Sequence, residues 1–228
     1  LALCDYGPRI LGTLGDILKD PAEDLEVRRH IPLVLAYFPQ QEAVDMLIDG
    51  LFDFDGLLRY RAIRSLGKLR LIAPELRFDA AKLTLRIQEE CETTLWFQQA
   101  RTSLYPKEES SDLLAQLLKE KFERGRERVF RLLALLLPAS AAVASFQAML
   151  EDDRLRIATA TELFNNVLPR GLWEWVRPLI EPGEGAGKPK VGVRGILEAC
   201  LKNPDQILRE CAAHAIGERR WPEFAPSV

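Results

Sequence analysis

The sequence predicts an all-α fold. Two observations carry this reading: apolar residues recur at spacings of three and four almost throughout the 228 residues, and alternating β-branched runs bounded by turn residues are nearly absent. A third divides the chain into segments, because Pro21, Pro39, Gly56, Pro74, Pro106, Pro138, Pro169 and Pro204 fall at or near the ends of the periodic stretches.

From the amino terminus, helices are expected over 8–19, closed by Pro21, and over 25–38, opened by Asp24 and closed by Pro39. A helix over 41–52 follows, then one over 57–71 that starts at the Asp55-Gly56 turn and stops before Pro74. Residues 76–104 read as one long helix with a buried stripe of Leu83, Ile87, Cys91, Leu95 and Gln98. Shorter helices are expected over 110–122, 126–137, 140–150, 154–168 and 171–181. "PGEGAGKPK" at 182–190 reads as loop, followed by helices over 192–202 and 205–219 on either side of Pro204.

The composition suits a chain that folds around a core, with 47% hydrophobic and 29% charged residues. The 34 acidic and 31 basic residues are well mixed, and a net charge of −3 argues against a dedicated polyanion binder. The longest apolar stretch, "LLALLLPASAAVASF" from Leu132, is interrupted by Pro138 and two serines and falls short of the roughly 18–20 apolar residues that span a bilayer. Cys4, Cys91, Cys200 and Cys211 show no CxxC spacing, and His30 and His214 are far apart, so no zinc or haem motif is legible and no metal or cofactor is expected. Sparse cysteines of this kind act as small buried hydrophobes in a reducing compartment, which favours the cytoplasm. The start at Leu1, without a signal-peptide pattern, suggests a piece of a longer polypeptide.

Several helices are variations on one unit. "DLEVRRHIPLVLA" from Asp24, "DGLLRYRAIRSLG" from Asp55, the stretch around Asp152 and Arg156, and "DQILRECAAHAIG" from Asp205 share an Asp, three residues and an Arg, then small or apolar residues at fixed offsets. The arginines are Arg28, Arg59, Arg156 and Arg209, with steps of 31, 97 and 53 residues. A period near 31 with two helices per unit fits a helical solenoid, in which each unit buries its apolar face only against its neighbours.

The unit resembles a HEAT repeat. More narrowly, "LRYRAIRSLGKLR", "ATELFNNVLP" followed by "RPLIE", and "NPDQILRECAAHAIGE" resemble the soluble HEAT-repeat region of bacterial proteins that carry a nucleotide-transporter-like membrane domain of the ATP/ADP translocase type. The resemblance implies a right-handed α-solenoid over 1–228 with an irregular central insertion, and an Asp–Arg ladder between neighbouring repeats. It also implies a cytosolic accessory or regulatory module, attached to a membrane domain, with no catalytic residues here. Arg59 is then structural, and Ala62, Ser65, Leu66 and Leu69 form a buried face.

No catalytic motif survives inspection. "GEGAGKPK" offers Gly187 and Lys188 to a phosphate, but Pro182 stands in the first glycine slot and Pro189 where a magnesium-holding hydroxyl belongs. Glu89, Glu90 and Glu92 read as a solvated face, and Asp152 and Asp153 as a helix cap. His214 has no nucleophile in register, and Trp173 and Trp175, two apart, cannot share one buried face.

The working surface is therefore expected from geometry. In each second helix, positions one, two, five and nine after the arginine face away from the core. These are Arg29, His30, Leu33 and Tyr37, then Tyr60, Arg61, Arg64 and Lys68; next Ile157, Ala158, Thr161 and Asn165, and last Glu210, Cys211, His214 and Glu218. The basic, aromatic end, Arg29, Tyr37, Tyr60, Arg61, Arg64 and Lys68, is expected to bind a protein segment or a neighbouring domain, making the chain a non-catalytic scaffold. The alternative is an enzyme of the HEAT-like DNA glycosylase type, or of the HEAT-like bilin lyase type. The acidic balance of the chain weighs against nucleic acid as a partner.

Overall fold

A computed structural model describes residues 7–106, 111–137, 154–180 and 192–219, leaving aside the side chains of 154–157, 160, 163 and 219. These residues form ten helices, and among them there is no strand. The helices are α1 (Leu11–Lys19), α2 (Leu25–Leu35), α3 (Gln41–Gly50), α4 (Gly56–Ile72), α5 (Ala80–Leu104), α6 (Leu113–Leu136), α7 (Arg154–Val167), α8 (Arg170–Ile180), α9 (Val193–Leu201) and α10 (Gln206–Arg219). The expected helix at 140–150, the loop at 182–190 with Gly187 and Lys188, the Asp152–Asp153 cap and the side chain of Arg156 lie outside the described residues.

The chain groups into two compact units, Leu1–Glu90 with Glu127–Trp173, and Cys91–Arg126 with Glu174–Val228. In the first, α2 packs on α1, α3 and α4, and α3 packs on α1 and α4. Leu11, Leu35, Leu47, Leu58, Ala62 and Leu66 are fully buried there, each on the inward stripe of an amphipathic helix. Ser65 and Leu69 are buried as well, so the inner face of α4 is the one its periodicity assigns. In the second unit α9 packs on α10, and Ile196, Leu197, Cys200, Leu208 and Ala212 share a core with Phe97, Leu104 and Leu118.

Three expectations need correction. The segments 110–122 and 126–137 form one helix, α6, without a break at Gly125. That glycine is not a breaker: a Cβ there would meet Thr94 Oγ1 of α5 at 2.2 Å, so its lack of a side chain serves close helix approach. The stripe of α5 starts as expected with buried Leu83, Ile87 and Cys91, but Leu95 and Gln98 are partly exposed, and burial passes to Thr94, Phe97, Ala100 and Leu104. Each step of four carries the position about 40° past a full turn, so a stripe that long has to alternate threes with fours. Finally, Glu90 does not belong to a solvated face: it is 1% exposed.

Candidate functional site

The Asp-x3-Arg unit builds the same turn at Asp55–Arg59 and at Asp205–Arg209. Asp55 caps α4 by accepting a hydrogen bond from Leu58 N at 2.8 Å, and Asp205 accepts from Ile207 N and Leu208 N at 2.9 and 3.3 Å. The arginine four residues on reaches back over the turn. Arg59 Nη1 donates to the carbonyls of Asp53 and Phe54 at 2.7 and 2.9 Å, and Arg209 Nη1 to those of Asn203 and Pro204, both at 2.8 Å. The side chains of Asp53 and Asn203 accept from the backbone N–H of Asp55 and Asp205 at 2.8 and 3.0 Å, closing an Asx turn in each case. In the first unit of this kind Asp24 caps α2 at Glu26 N, 2.7 Å away, and Arg28 donates instead to Leu18 O, through Nε at 3.1 Å and Nη2 at 3.0 Å.

Ion pairs then tie one turn to the next. Arg28 meets Asp53 at 2.5 Å, and Arg29 makes a two-pronged contact with Asp55 through Nε at 2.9 Å and Nη2 at 2.6 Å. The Arg29 guanidinium, followed by the Leu58 N–H, outweighs burial and holds the Asp55 carboxyl below the usual range, while Asp55 and Glu26 raise Arg29. In the second unit Asp205 pairs with Lys121.

On this frame the six residues singled out from the sequence come together where α2 packs on α4, but they are not equally free. Arg61 is half-buried, and its Nη1 donates to Arg29 O at 2.9 Å, so it serves the α2–α4 contact. Arg29 is committed to Asp55 and Glu26. The open part is two cation–aromatic pairs: Lys68 Nζ lies 3.6 Å from the ring centre of Tyr37, and the Arg64 guanidinium 5.9 Å from that of Tyr60. Arg64, Lys68 and Tyr37 are exposed, and Tyr60 is half-buried.

The other outward positions are mixed. His30 and Leu33 are exposed, with His30 Nδ1 on Glu26 O at 2.6 Å. Ala158 and Asn165 are exposed, and Thr161 is half-buried. In the second unit Glu210, His214 and Glu218 are exposed, whereas Cys211 is half-buried. Of the tryptophans, Trp173 is 8% exposed and Trp175 39%. Burial pushes the Cys200 thiol up to about 11, and Cys211 is raised by its own burial, then by neighbouring carboxylates. Among the described residues no group of three His, Cys, Asp or Glu side chains gathers as metal ligands do.

Sequence reasoning missed the most concentrated charge in the first unit. Glu90 of α5 accepts from Arg86 Nη2 at 2.5 Å and, across helices, from Arg128 Nε of α6 at 2.9 Å, with Arg59 Nε 4.0 Å away. Burial raises the Glu90 carboxyl, but Arg128 and Arg86 outweigh it and hold the group below the ordinary glutamate range. Arg59 is lowered by burial and then by its two cationic neighbours. The signal for this cluster was the i, i+4 spacing of Arg86 and Glu90 on the face of Ile87 and Leu83, a polar pair on a buried stripe. It is a structural knot: both carboxylate oxygens are engaged, and the glutamate is closed to solvent.

Compared with protein-family models, curated proteins and solved structures, the chain finds no match.

Proposed function

We propose that this chain is a non-catalytic scaffold or regulatory module of HEAT-like α-solenoid type, which holds an acidic protein segment or flanking domain on the α2–α4 face. The observation that carries the reading is the pair of exposed cations, Lys68 and Arg64, each set over a tyrosine ring. Such pairs offer an acidic ligand charge and aromatic area together, and their internal attraction is worth only about 0.5–1 kcal/mol at exposed sites, so the cations remain free to engage a partner. The repeat reading is supported by the identical hydrogen bonds of the Asp55–Arg59 and Asp205–Arg209 turns, and by the Arg28–Asp53 and Arg29–Asp55 rungs. In the transporter-associated version of this reading, the module works in the cytoplasm, at the cytosolic face of a membrane domain. Among the described residues no helix is long and apolar enough to cross a membrane.

The test is capture of a Glu- and Asp-rich peptide, or of the flanking domain, by the parent chain and by the Arg64→Glu/Lys68→Glu variant. Both side chains are exposed, so the variant keeps its fold, while binding falls by on the order of 2 kcal/mol, close to thirtyfold. Equal binding by both proteins, or salt-sensitive binding to duplex DNA in place of the peptide, overturns the reading.

A further inference from the structure

We propose that a cleft beside the α1–α2 and α3–α4 turns is a second docking site, and that it takes a basic protein segment inserting one bulky apolar side chain. The cleft has a volume of about 590 Å³, and Leu18, Pro21, Leu25, Met46, Phe52 and Phe54 give it an apolar lining. Three of these are held out of any core: Phe54 is 103% exposed, Leu25 41% and Phe52 37%. Isolated exposed apolar side chains are ordinary, whereas three around one concavity mark a surface that is covered in use.

Phe54 cannot escape inward. Its neighbours Asp53 and Asp55 are anchored by Arg28 and Arg29, and its own carbonyl accepts from Arg59 Nη1. The turn is therefore fixed at three consecutive residues, with the ring directed to solvent beside a preformed recess. Little ordering cost remains for a partner to bear.

Charge selects the partner. The turns 20–24 and 49–55 contain six carboxylates, Asp20, Glu23, Asp24, Asp49, Asp53 and Asp55, and no lysine or arginine. Lys19, Lys82, Arg28 and Arg29 pair with them, Arg59 sits on the carbonyls of Asp53 and Phe54, and Glu26 shares Arg29, so seven carboxylates face five cations and leave a local excess of two negative charges. Among the described residues Asp49 pairs with Lys19 and Lys82, whose side chains are 60% and 50% exposed. Exposed pairs of this kind exchange readily, so an incoming Lys or Arg can take Asp49 while its apolar neighbour enters the cleft. Phosphate-bearing partners are repelled by the same excess. This site is thus opposite in charge preference to the Arg64–Lys68 face, and the two can be tested separately.

The experiment uses the 228-residue chain and a labelled short peptide in which Lys and Arg flank a single Phe, read by fluorescence anisotropy at low and high salt. The expected result is saturable, salt-weakened binding to the parent, unchanged in Arg64→Glu/Lys68→Glu, and weakened by at least about tenfold in Phe54→Ser and in a peptide whose Phe is Ala. The Phe54 side chain is fully exposed, so Phe54→Ser retains the parent's unfolding profile. The proposal is overturned if the basic peptide does not bind, if the Phe54→Ser variant binds as the parent does, or if a peptide with Glu in place of Lys and Arg binds equally well. It is also overturned if sedimentation shows self-association of the parent that Phe54→Ser abolishes, since the occupant is then a second copy of the chain.

Discussion

Replacing Glu90 with glutamine removes the buried carboxylate that Arg86 and Arg128 share and that Arg59 approaches, and keeps the shape of the side chain. In the parent that carboxylate is 1% exposed, and Arg59, Arg86 and Arg128 retain only 24, 11 and 22% of their side-chain exposure. Arg59 and Arg128 are then left partly desolvated without that counter-ion, while Arg86 keeps Glu89, 2.8 Å from its Nη1. Removing one partner of a buried pair costs about 3–5 kcal/mol, and the residual exposure of the arginines places the expected loss near the lower end, about 3 kcal/mol. Against a total stability of about 5–15 kcal/mol this is a large displacement of the urea midpoint, followed by the helical circular dichroism signal. The pH dependence has a definite sign. The folded carboxyl lies below its ordinary value, so its contribution is complete above about pH 4.3 and is lost as the pH falls below that value through the folded-state one. The gap between parent and Glu90→Gln is therefore constant near neutrality and closes in acid. A loss of less than about 1 kcal/mol at neutral pH would refute the reasoning, since it would mean that the arginines are hydrated well enough to dispense with the glutamate. As a control, Arg86→Met/Glu90→Leu/Arg128→Met recovers part of the loss, because apolar replacement of buried ion pairs is often neutral, while Arg59 keeps its bonds to the carbonyls of Asp53 and Phe54.

Ala62 is fully buried on α4, and Ala62→Glu is expected to lower stability by several kcal/mol, about the cost of an unpaired buried charge, measured as a fall in melting temperature. Gly125→Ala gains up to about 1 kcal/mol of helix propensity but drives a methyl into Thr94, so a net loss of about 1–2 kcal/mol is expected. Thr94→Ala in the same chain removes the contacts at 2.2 and 2.9 Å and returns part of that loss. Arg61→Glu and Arg64→Glu separate by role: the first breaks the bond to Arg29 O and destabilises by about 1–3 kcal/mol, whereas the second leaves the unfolding midpoint within about 0.5 kcal/mol.

Much of the helical layout was legible because local signals and burial agree. Asp24, Asp55 and Asp205 cap as their positions next to periodic stretches suggest, and the inner face of α4 follows directly from the spacing of Ala62, Ser65, Leu66 and Leu69. The departures come from contacts between segments distant in sequence. The expected gap between 122 and 126 is helical, and Gly125 within it packs against Thr94 across the helix pair. Glu90 reads locally as one of an acidic group, and Arg128, thirty-eight positions on, joins Arg86 in making its burial tolerable. α5 starts at Ala80 rather than at 76, because Asp79 caps it, accepting from Ala81 N and Lys82 N, both at 3.0 Å. At the α2–α4 face, the spacing located all six residues but was silent on how their hydrogen bonds divide. Exposure therefore separates Arg64 and Lys68 from Arg61 only in three dimensions.

Asp55 has two duties at once: its carboxylate caps α4 at Leu58 N and grips the Arg29 guanidinium of α2. Fraying of the first turn of α4 therefore also releases Arg29, and withdrawal of α2 uncaps α4. Neither event can take place as a small independent opening, so the amides around Leu58 and those around Arg29 should exchange their hydrogens at one common rate, as members of a single opening unit. An α-helix that would otherwise loosen from its end inward is thereby made to open together with its neighbour.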